Sequence, residues 1–283
     1  MIIRKAVIPA AGLGTRLLPV TKELPKEMLP VFDKEEGNLA FKPLIQIIFE
    51  RLYQAGIREF CIITGRGKRA LIDYFSRDEG YLELLNAYGK GSLREKLEKF
   101  YRTVESSTLF WINQPKPTGL GAAVALAESF VGIEPFIVHA GDTYIASNNY
   151  IKTMTRAFEK LKPDALFLTA RVEDPKSYGI IEKYEIEDEK TYRIYRVVEK
   201  PKEPKTNMAI VPIYVLTPKI FKALRNIEPG TGGELQLTDA IQILAEKDKV
   251  YAIELENSED YIDIGKAENY LRALIRSYNL NNT

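Results

Sequence analysis

Cysteine and histidine are almost absent from this chain of 283 residues, which has one cysteine, Cys61, and one histidine, His139. A single cysteine cannot form a disulfide within the chain or a cysteine-rich zinc site, and its apolar neighbours predict a buried, reduced thiol. A single imidazole excludes a paired-histidine metal site and a histidine relay, and we interpret His139 as a core residue. The two shortages together exclude much of hydrolase chemistry.

The chain also lacks a surplus of either charge, because 40 Lys and Arg face 39 Asp and Glu. Nucleic-acid coats and polybasic membrane binders depend on surplus positive charge, so we expect neither nucleic acid nor membrane as a partner. No apolar run approaches the roughly 18 residues of a membrane span, and the N-terminal segment carries a charge too early for a signal peptide. The sequence therefore predicts a cytoplasmic protein.

The first half of the chain alternates short β-branched segments with longer amphipathic ones, which is typical of a parallel sheet covered by helices. The predicted strands of this half are residues 5–9, 59–64, 109–114, 136–139 and 165–172. The predicted helices are residues 44–55, 69–75, 122–130 and 150–161. The charged segment 77–107, interrupted by Gly89 and Gly91, predicts a helical excursion between two strands.

After Asp174 the pattern changes, and residues 178–187 and 191–199 alternate apolar and polar side chains as a β-hairpin does. The remaining predicted elements are strands at 207–216 and 250–255 and helices at 218–224, 238–247 and 266–278. No linker rich in Gly, Pro or Ser and no internal repeat is found. The sequence therefore predicts a single α/β domain over residues 1–283, with a mixed, mainly parallel sheet and an inserted hairpin.

The first predicted strand leads directly into a glycine turn, Ala10-Ala11-Gly12-Leu13-Gly14-Thr15. Ligands of α/β proteins bind at the carboxyl ends of strands, where such a turn brings backbone N–H groups close to a phosphate. The turn lacks the third glycine of a dinucleotide fingerprint and the Gly-Lys-Ser/Thr of a P-loop. Alone, it also fits an ordinary strand-to-helix turn.

The residues after this turn add two cations, Arg16 and Lys26, within the segment GLGTRLLPVTKELPKEMLP at positions 12–30. Here the sequence resembles the sugar-1-phosphate nucleotidylyltransferases, whose signature has the form GxGTRLxPxT followed by PKxMLP. Further motifs follow in the same order as in that family over residues 3–278. They are QPKPTGLG at 114–121, GD at 141–142, YGI at 178–180, VEKP at 198–201, NMAIV at 207–211, GELQLTD at 233–239 and YIDIG at 261–265.

The resemblance implies a Rossmann-like fold of the nucleotide-diphospho-sugar transferase type, with a nucleotide part over residues 1–172, a sugar part over 173–265 and a C-terminal helix over 266–279. It implies that UTP and glucose 1-phosphate give UDP-glucose and pyrophosphate, with Mg²⁺ as cofactor, in a homodimer or homotetramer. Use of dTTP, alone or beside UTP, is the alternative, because a hydrophobic pocket separates one methyl group by only about 1–3 kcal/mol.

The resemblance also implies roles for individual residues. The implied nucleotide-binding residues are Ala10, Ala11, Gly12, Leu13, Gly14, Thr15, Asp142, Gly119, which lies against the base, and Gln114, whose amide pairs with the pyrimidine edge. The implied sugar-phosphate residues are Gly179, Glu199, Lys200 and Asn207. The implied metal ligands are Asp142 and Asp263, and the implied catalytic cations are Arg16, Lys26 and Lys200.

Single motifs also have purely structural explanations. Asp142 and Asp263 fit carboxylates at helix N-termini, and Thr238 fits the cap of a helix. Glu199 and Lys200 should point to opposite sides of a strand unless the strand twists. The chain departs from the family pattern at residues 35–42, which are extra and predict an enlarged loop.

The implied reaction suits a chain with one histidine, because a phosphate monoester is largely dianionic at neutral pH, with a second pKa of about 6, and needs no general base. Three other classes fit less well. A nicotinamide-dependent oxidoreductase requires the third glycine and an acidic ribose anchor about 20 residues later. A uridylyl exchanger with a histidine nucleophile requires a His-x-His setting. A catalytically inactive relative would not need all of the implied carboxylates and cations.

Overall fold

A computed structural model describes residues 3–256 and 259–282. The strands are β1 (Lys5–Pro9), β2 (Pro30–Glu35), β3 (Asn38–Pro43), β4 (Glu59–Thr64), β5 (Thr108–Asn113), β6 (Phe136–His139), β7 (Thr143–Ile145), β8 (Ala165–Arg171), β9 (Gly179–Asp188), β10 (Thr191–Glu199), β11 (Met208–Leu216), β12 (Val250–Glu254) and β13 (Tyr261–Asp263). The α-helices are α1 (Leu44–Gln54), α2 (Arg69–Phe75), α3 (Glu79–Ala87), α4 (Gly91–Glu105), α5 (Leu120–Leu126), α6 (Glu128–Val131), α7 (Tyr150–Leu161), α8 (Lys219–Leu224), α9 (Leu237–Lys247) and α10 (Ala267–Asn281).

The central sheet has nine strands in the order β5-β4-β1-β6-β11-β8-β12-β10-β9. Its pairings make β10 and β11 run against the direction of the other strands. The predicted mixed, mainly parallel sheet is therefore confirmed. Two further pairs of strands, β2 with β3 and β7 with β13, lie outside this sheet.

Helices cover both faces of the sheet because the central strands are apolar on both sides. In β1, Ala6 and Ile8 pack into one hydrophobic cluster and Val7 packs into the other, as the period of two in a strand requires. The first cluster takes buried residues from α1, α2, α3, α4, α7 and α10, and the second takes them from α5, α6, α8 and α9. The result is the three-layer arrangement that alternating strands and helices predict.

Most predicted elements agree with the structure. The bounds of β1, β4 and β6 are those predicted, and the helical excursion consists of α3 and α4, separated near Gly89 with its φ of +65°. The predicted hairpin is β9 and β10. The predicted helix 122–130 is instead two short helices, α5 and α6, that meet at Ala127.

The prediction of an enlarged loop at residues 35–42 is wrong, because these residues belong to the hairpin β2–β3. Its turn consists of Glu36 and Gly37 with φ of +52° and +81°, the left-handed geometry that two-residue hairpins favour. Lys42 at its base is buried and donates to carboxylate oxygens of Asp33, at 2.9 Å, and Glu50, at 2.8 Å. The extra residues therefore form an ordered element that is tied to α1.

Cys61 and His139 are both buried, as predicted. Burial raises the pKa of the Cys61 thiol to about 12 and lowers the pKa of His139 to about 4. The neutral imidazole has a partner at each nitrogen: Nδ1 donates to the Ala140 carbonyl at 2.9 Å, and Nε2 accepts from the Tyr150 hydroxyl at 2.8 Å. Across residues 3–256 and 259–282, the helices are all too short or too polar to cross a membrane.

Candidate active site

A cleft of about 390 Å³ lies where several strands of the sheet end. Its walls come from both halves of the chain: Gly12 follows β1, Gln114 follows β5, Asp142 follows β6, and Lys200 follows β10. This is the position in an α/β sheet where ligands bind. The structure therefore brings motifs of the nucleotide and sugar parts to one cavity.

Lys26 and Asp142 form an ion pair in the wall of the cleft. Lys26 belongs to the turn Lys26–Met28, and Gly12 leaves room beside it, since a Cβ there would lie 3.4 Å from the Lys26 ammonium. Burial disfavours the charged form of each partner, but the opposite charge outweighs it. The attraction between the two charges raises the pKa of Lys26 and lowers the pKa of Asp142. Both groups are therefore charged at neutral pH.

Asp263 is the second carboxylate of the cleft and pairs with Arg16 at 3.3 Å. The strands β7 and β13 place it beside Asp142, because Asp263 is opposite Thr143 in their register and the N–H of Ile264 donates to the Asp142 carbonyl at 3.1 Å. Neither strand was predicted. The pairing brings together two carboxylates that are 121 positions apart by subtraction (263 − 142).

The donor set of this pair fits a hard divalent cation. Carboxylate oxygens are the protein ligands that Mg²⁺ prefers, and Mg²⁺ usually keeps several waters and binds substrate phosphates as well. In the part of the chain that the structure describes, no group of three or more His, Cys, Asp or Glu side chains is arranged to hold a metal. Asp142 and Asp263 alone would thus leave most coordination positions to phosphate and water.

The Gln114 segment closes the cleft on one side. The Gln114 amide donates to the Gly119 carbonyl at 3.4 Å. We expected Gly119 to lie against a base, but its immediate neighbour is the segment 234–236: a Cβ at Gly119 would lie 2.6 Å from the Leu235 carbonyl oxygen. At Gly121 the distance would be 2.7 Å. The two glycines therefore allow a close approach between the start of α5 and the segment 234–236, and Gly119 still lines the cleft.

Glu199 and Lys200 form the opposite side of the cleft. The expectation that they point apart is wrong, because Lys200 lies beyond the end of β10 with a φ of +44°, and its ammonium is 3.5 Å from the Glu199 carboxylate. Glu199 also accepts a hydrogen bond from Thr238 at 2.7 Å. Thr238 is inside α9, whose N-cap is Gln236, so its predicted capping role is wrong as well.

Not every predicted site residue lines the cleft. The residues Ala10, Leu13, Gly14, Thr15 and Arg16 lie outside its walls, although Ala11 and Gly12 line it and Arg16 pairs with the lining residue Asp263. Asn207 is exposed and lies against Arg171, whose guanidinium donates to the Asn207 amide oxygen at 3.4 Å. The structure thus does not bring Asn207 to the cleft, whereas Gly179 does line it.

Sequence reasoning missed four residues in or behind the walls. Tyr178 and Tyr261 line the cleft with ring centroids 6.1 Å apart. Glu27, also in the wall, is 1% exposed and accepts a hydrogen bond at 2.6 Å from Lys68, which is 7% exposed. The position of Glu27 between Lys26 and the apolar Met28 could have indicated that it lies near the site. Nothing in the neighbouring sequence indicates that its partner is Lys68.

A three-layer α/β fold with paired carboxylates and cations in a cleft at the strand ends defines an enzyme of phosphate chemistry. The nucleotidyl transferase family model matches residues 5–277, and the chain belongs to this family. The resemblance seen in the sequence is thereby confirmed.

Individual relatives are similar over nearly the whole chain. UTP–glucose-1-phosphate uridylyltransferase 2 of Staphylococcus saprophyticus is 41% identical over 278 residues, which cover 96% of this chain and 91% of that protein. A UDP-glucose pyrophosphorylase complexed with UDP-glucose superimposes with a TM-score of 0.83 at 32% identity, covering 98% of this chain and 99% of that one. The UTP-bound enzyme of Acinetobacter baumannii has a TM-score of 0.83 at 31% identity, with 97% and 93% covered.

Proposed function

We propose that this protein transfers the uridylyl group of UTP to glucose 1-phosphate, giving UDP-glucose and pyrophosphate. The observation that carries the proposal is the single cleft in which Gln114, the Asp142–Asp263 pair and Glu199–Lys200 face one another. The similarity to a uridylyltransferase and to structures with bound UDP-glucose and UTP supports the same reaction.

The chemistry needs no general base from the protein. The phosphate of glucose 1-phosphate is already largely dianionic at neutral pH, so its oxygen attacks the α-phosphorus and pyrophosphate leaves. His139 is fully buried and bonded at both nitrogens, so it takes no part in the proton balance. Catalysis then consists of aligning the two substrates and neutralising phosphate charge.

We assign three cations of the chain to neutralising the charge of the substrate phosphates. Lys200 lies on the side of Glu199 and would hold the sugar phosphate, while Lys26 and Arg16 lie on the side of the two aspartates and would face the triphosphate. Asp142 and Asp263 would hold Mg²⁺, which when bound neutralises charge on phosphate oxygens. Without ligands, Lys26 and Arg16 supply the positive charge beside these carboxylates.

Recognition of the base is assigned to Gln114, whose amide can both donate to and accept from a pyrimidine edge. The contact with the Gly119 carbonyl is long, at 3.4 Å, so it leaves this amide available to a ligand. An amide pair does not distinguish uracil from thymine, so dTTP is the nucleotide to compare with UTP.

A matrix of nucleotides and sugar phosphates tests the proposal. Pyrophosphate release is measured for UTP, dTTP, CTP and GTP, each with glucose 1-phosphate, galactose 1-phosphate or mannose 1-phosphate. We expect the highest kcat/KM for UTP with glucose 1-phosphate and a lower value for dTTP. A higher value for dTTP favours thymidylyl transfer, and no release with any pair contradicts the proposal.

We also propose a homodimer or homotetramer in the cytoplasm, as the family resemblance and the composition led us to expect. Multi-angle light scattering of the purified protein tests the oligomer, and a single species at the mass of one chain, 32.2 kDa, contradicts it.

A further inference from the structure

The pair Glu27–Lys68 is buried immediately behind the cations of the cleft. Their side chains are 1% and 7% exposed, and the ammonium nitrogen and the carboxylate oxygen are 2.6 Å apart. Removing two charges from water costs about as much as their attraction returns, and apolar replacements of similar volume are often neutral for stability. Folding stability alone therefore does not account for a buried charge pair at this place.

The position of the pair connects it with the reacting groups. Glu27 follows Lys26 in the same turn, and its side chain packs against Gly141, where a Cβ would lie 3.1 Å from the Glu27 Cγ. Gly141 precedes Asp142, the partner of Lys26. Glu27 thus lies between the turn that carries Lys26 and the turn that carries Asp142.

The charges alternate through this region in the order Lys68, Glu27, Lys26 and Asp142. Although burial disfavours its charge, the Lys26 ammonium is attracted by three carboxylates, first by Asp142 and then by Glu27 and Asp263. Lys68 donates a hydrogen bond to Glu27, and Lys26 donates one to Asp142. The arrangement leaves the Lys26 ammonium at the wall of the cleft.

We propose that Lys68 is a positioning residue, which keeps Glu27 from competing with substrate phosphate for the ammonium of Lys26. The inference rests on the proposed function, because it needs Lys26 to face phosphate. Without Lys68, Lys26 is the remaining cation whose charge acts on the buried Glu27 carboxylate. A pair between them would draw the ammonium away from the cleft.

The test compares Lys68→Met with the double variant Glu27→Gln, Lys68→Met. Binding of pyrophosphate and of UTP with Mg²⁺ is measured by calorimetry on protein shown to be folded by circular dichroism, and the kinetics of UDP-glucose formation are recorded in parallel. We expect Lys68→Met to bind both ligands about 10-fold more weakly, as expected for loss of a charge-assisted hydrogen bond. The double variant, which lacks the competing carboxylate, should return to within about threefold of wild type.

Lys42→Met is the matched control, since Lys42 is also a buried lysine with carboxylate partners. Its partners Asp33 and Glu50 lie outside the walls of the cleft, whereas Glu27, the partner of Lys68, lines it. Lys42→Met should lower the melting temperature and leave ligand binding as in wild type. Lys68→Arg keeps the pair and should keep binding. If the role of Lys68 is purely structural, Lys68→Met should behave like Lys42→Met, with a lower melting temperature and unchanged ligand binding.

Equal binding by wild type and folded Lys68→Met overturns the inference, and so does a double variant that binds no better than the single one. If Lys68→Met does not fold, the double variant decides alone, because a loss of 10-fold or more in it contradicts competition by Glu27. Failure of wild type to form UDP-glucose overturns the proposed function instead. The two failures are therefore distinguishable.

Discussion

At the scale of single residues, the charged side chains in and beside the cleft form pairs of opposite charge. Lys26 is with Asp142, Arg16 with Asp263, and Lys200 with Glu199. Exposure differs among them: the side chains of Lys26 and Asp142 are 11% and 23% exposed, but Arg16 is 53% exposed. Removing one partner therefore has different costs at the two aspartates.

We expect Asp142→Asn and Asp263→Asn each to lose most turnover and to need more Mg²⁺ where activity survives. A carboxamide has nearly the shape of a carboxylate but lacks the charge that attracts the metal. Asp142→Asn should also lower the melting temperature more, because it removes the negative charge of the carboxylate to which the buried Lys26 donates. Turnover against Mg²⁺ concentration and thermal melting provide the measurements.

Asp33→Asn is the control for both variants, since Asp33 also pairs with a buried lysine but is outside the cleft. It should change stability without changing the Mg²⁺ requirement. Wild-type activity in either folded cleft variant would remove that aspartate from the metal site. The double variant should lose less than the product of the two single losses, because the two ligands act together.

His139 should make folding stability depend on pH below neutrality. Its pKa falls from 6.5 to about 4 in the folded protein, so the unfolded chain binds a proton that the folded chain rejects. Stability is then greatest above pH 6.5 and declines as the pH falls toward 4, by about 2 kcal/mol between pH 7 and pH 5. Urea unfolding of wild type and His139→Gln at the two pH values measures the difference, and an equal decline in both proteins would exclude His139 as its source.

At the scale of elements, the sequence predicted the strands that are buried on both faces and the strands in which apolar and polar residues alternate regularly. The bounds of β1, β4 and β6 follow from runs of β-branched and aromatic residues, and β9–β10 from strict alternation. β7 and β13 have three residues each, too few for a period to be visible. They are the strands that join the two aspartates, so the motifs identified the carboxylates but local patterns did not show how they meet.

Other parts of the site depend on contacts that sequence spacing does not show. Lys200 faces the cleft because its backbone is left-handed, a conformation that lysine seldom adopts and that tertiary contacts must hold. Glu27 and Lys68 meet across 41 positions. Asn207 matched a family motif but lies outside the cleft, just before β11, where its amide oxygen accepts from Arg171 of β8.

Gly121→Ala tests the contact between α5 and the segment 234–236. The new methyl group would lie 2.7 Å from the Leu235 carbonyl oxygen and 3.1 Å from Leu224 Cδ2, so one loop must shift. We expect a loss of about 1–3 kcal/mol in stability, typical of overpacking. The KM for UTP should rise too, since Glu234 and Gln236 line the cleft.

Gly91→Ala is the matched control, because a Cβ at Gly91 meets nothing within 4 Å. Gly91 begins a helix, where alanine is favoured, so its variant should be as stable as wild type or slightly more so. Denaturant unfolding and steady-state kinetics of both variants are compared. Equal results for the two glycines would show that the close approach at Gly121 has no energetic consequence.

At the scale of the whole molecule, the site belongs to neither half of the chain alone. Seven strands of the central sheet run one way and β10 and β11 oppose them. Gln114 follows β5 and Lys200 follows β10, and both line the same cavity. Residues as distant as Gly12 and Asp263 face the same cavity. Substrate binding should therefore stabilise the molecule as one unit, by an amount that grows with ligand concentration.

The place of β12 in the sheet has a consequence for a chain still on the ribosome. β12 lies between β8 and β10, yet it is synthesised after both. Among the described residues, the strand pairing that joins the hairpin β9–β10 to strands made before β12 is that of β9 with β11, at Ala209↔Ile180. Contacts of such long sequence separation form slowly. A nascent chain would therefore carry the glycine turn and Asp142 for many residues before Asp263 exists, and the two aspartates can form one site only at that late point of translation.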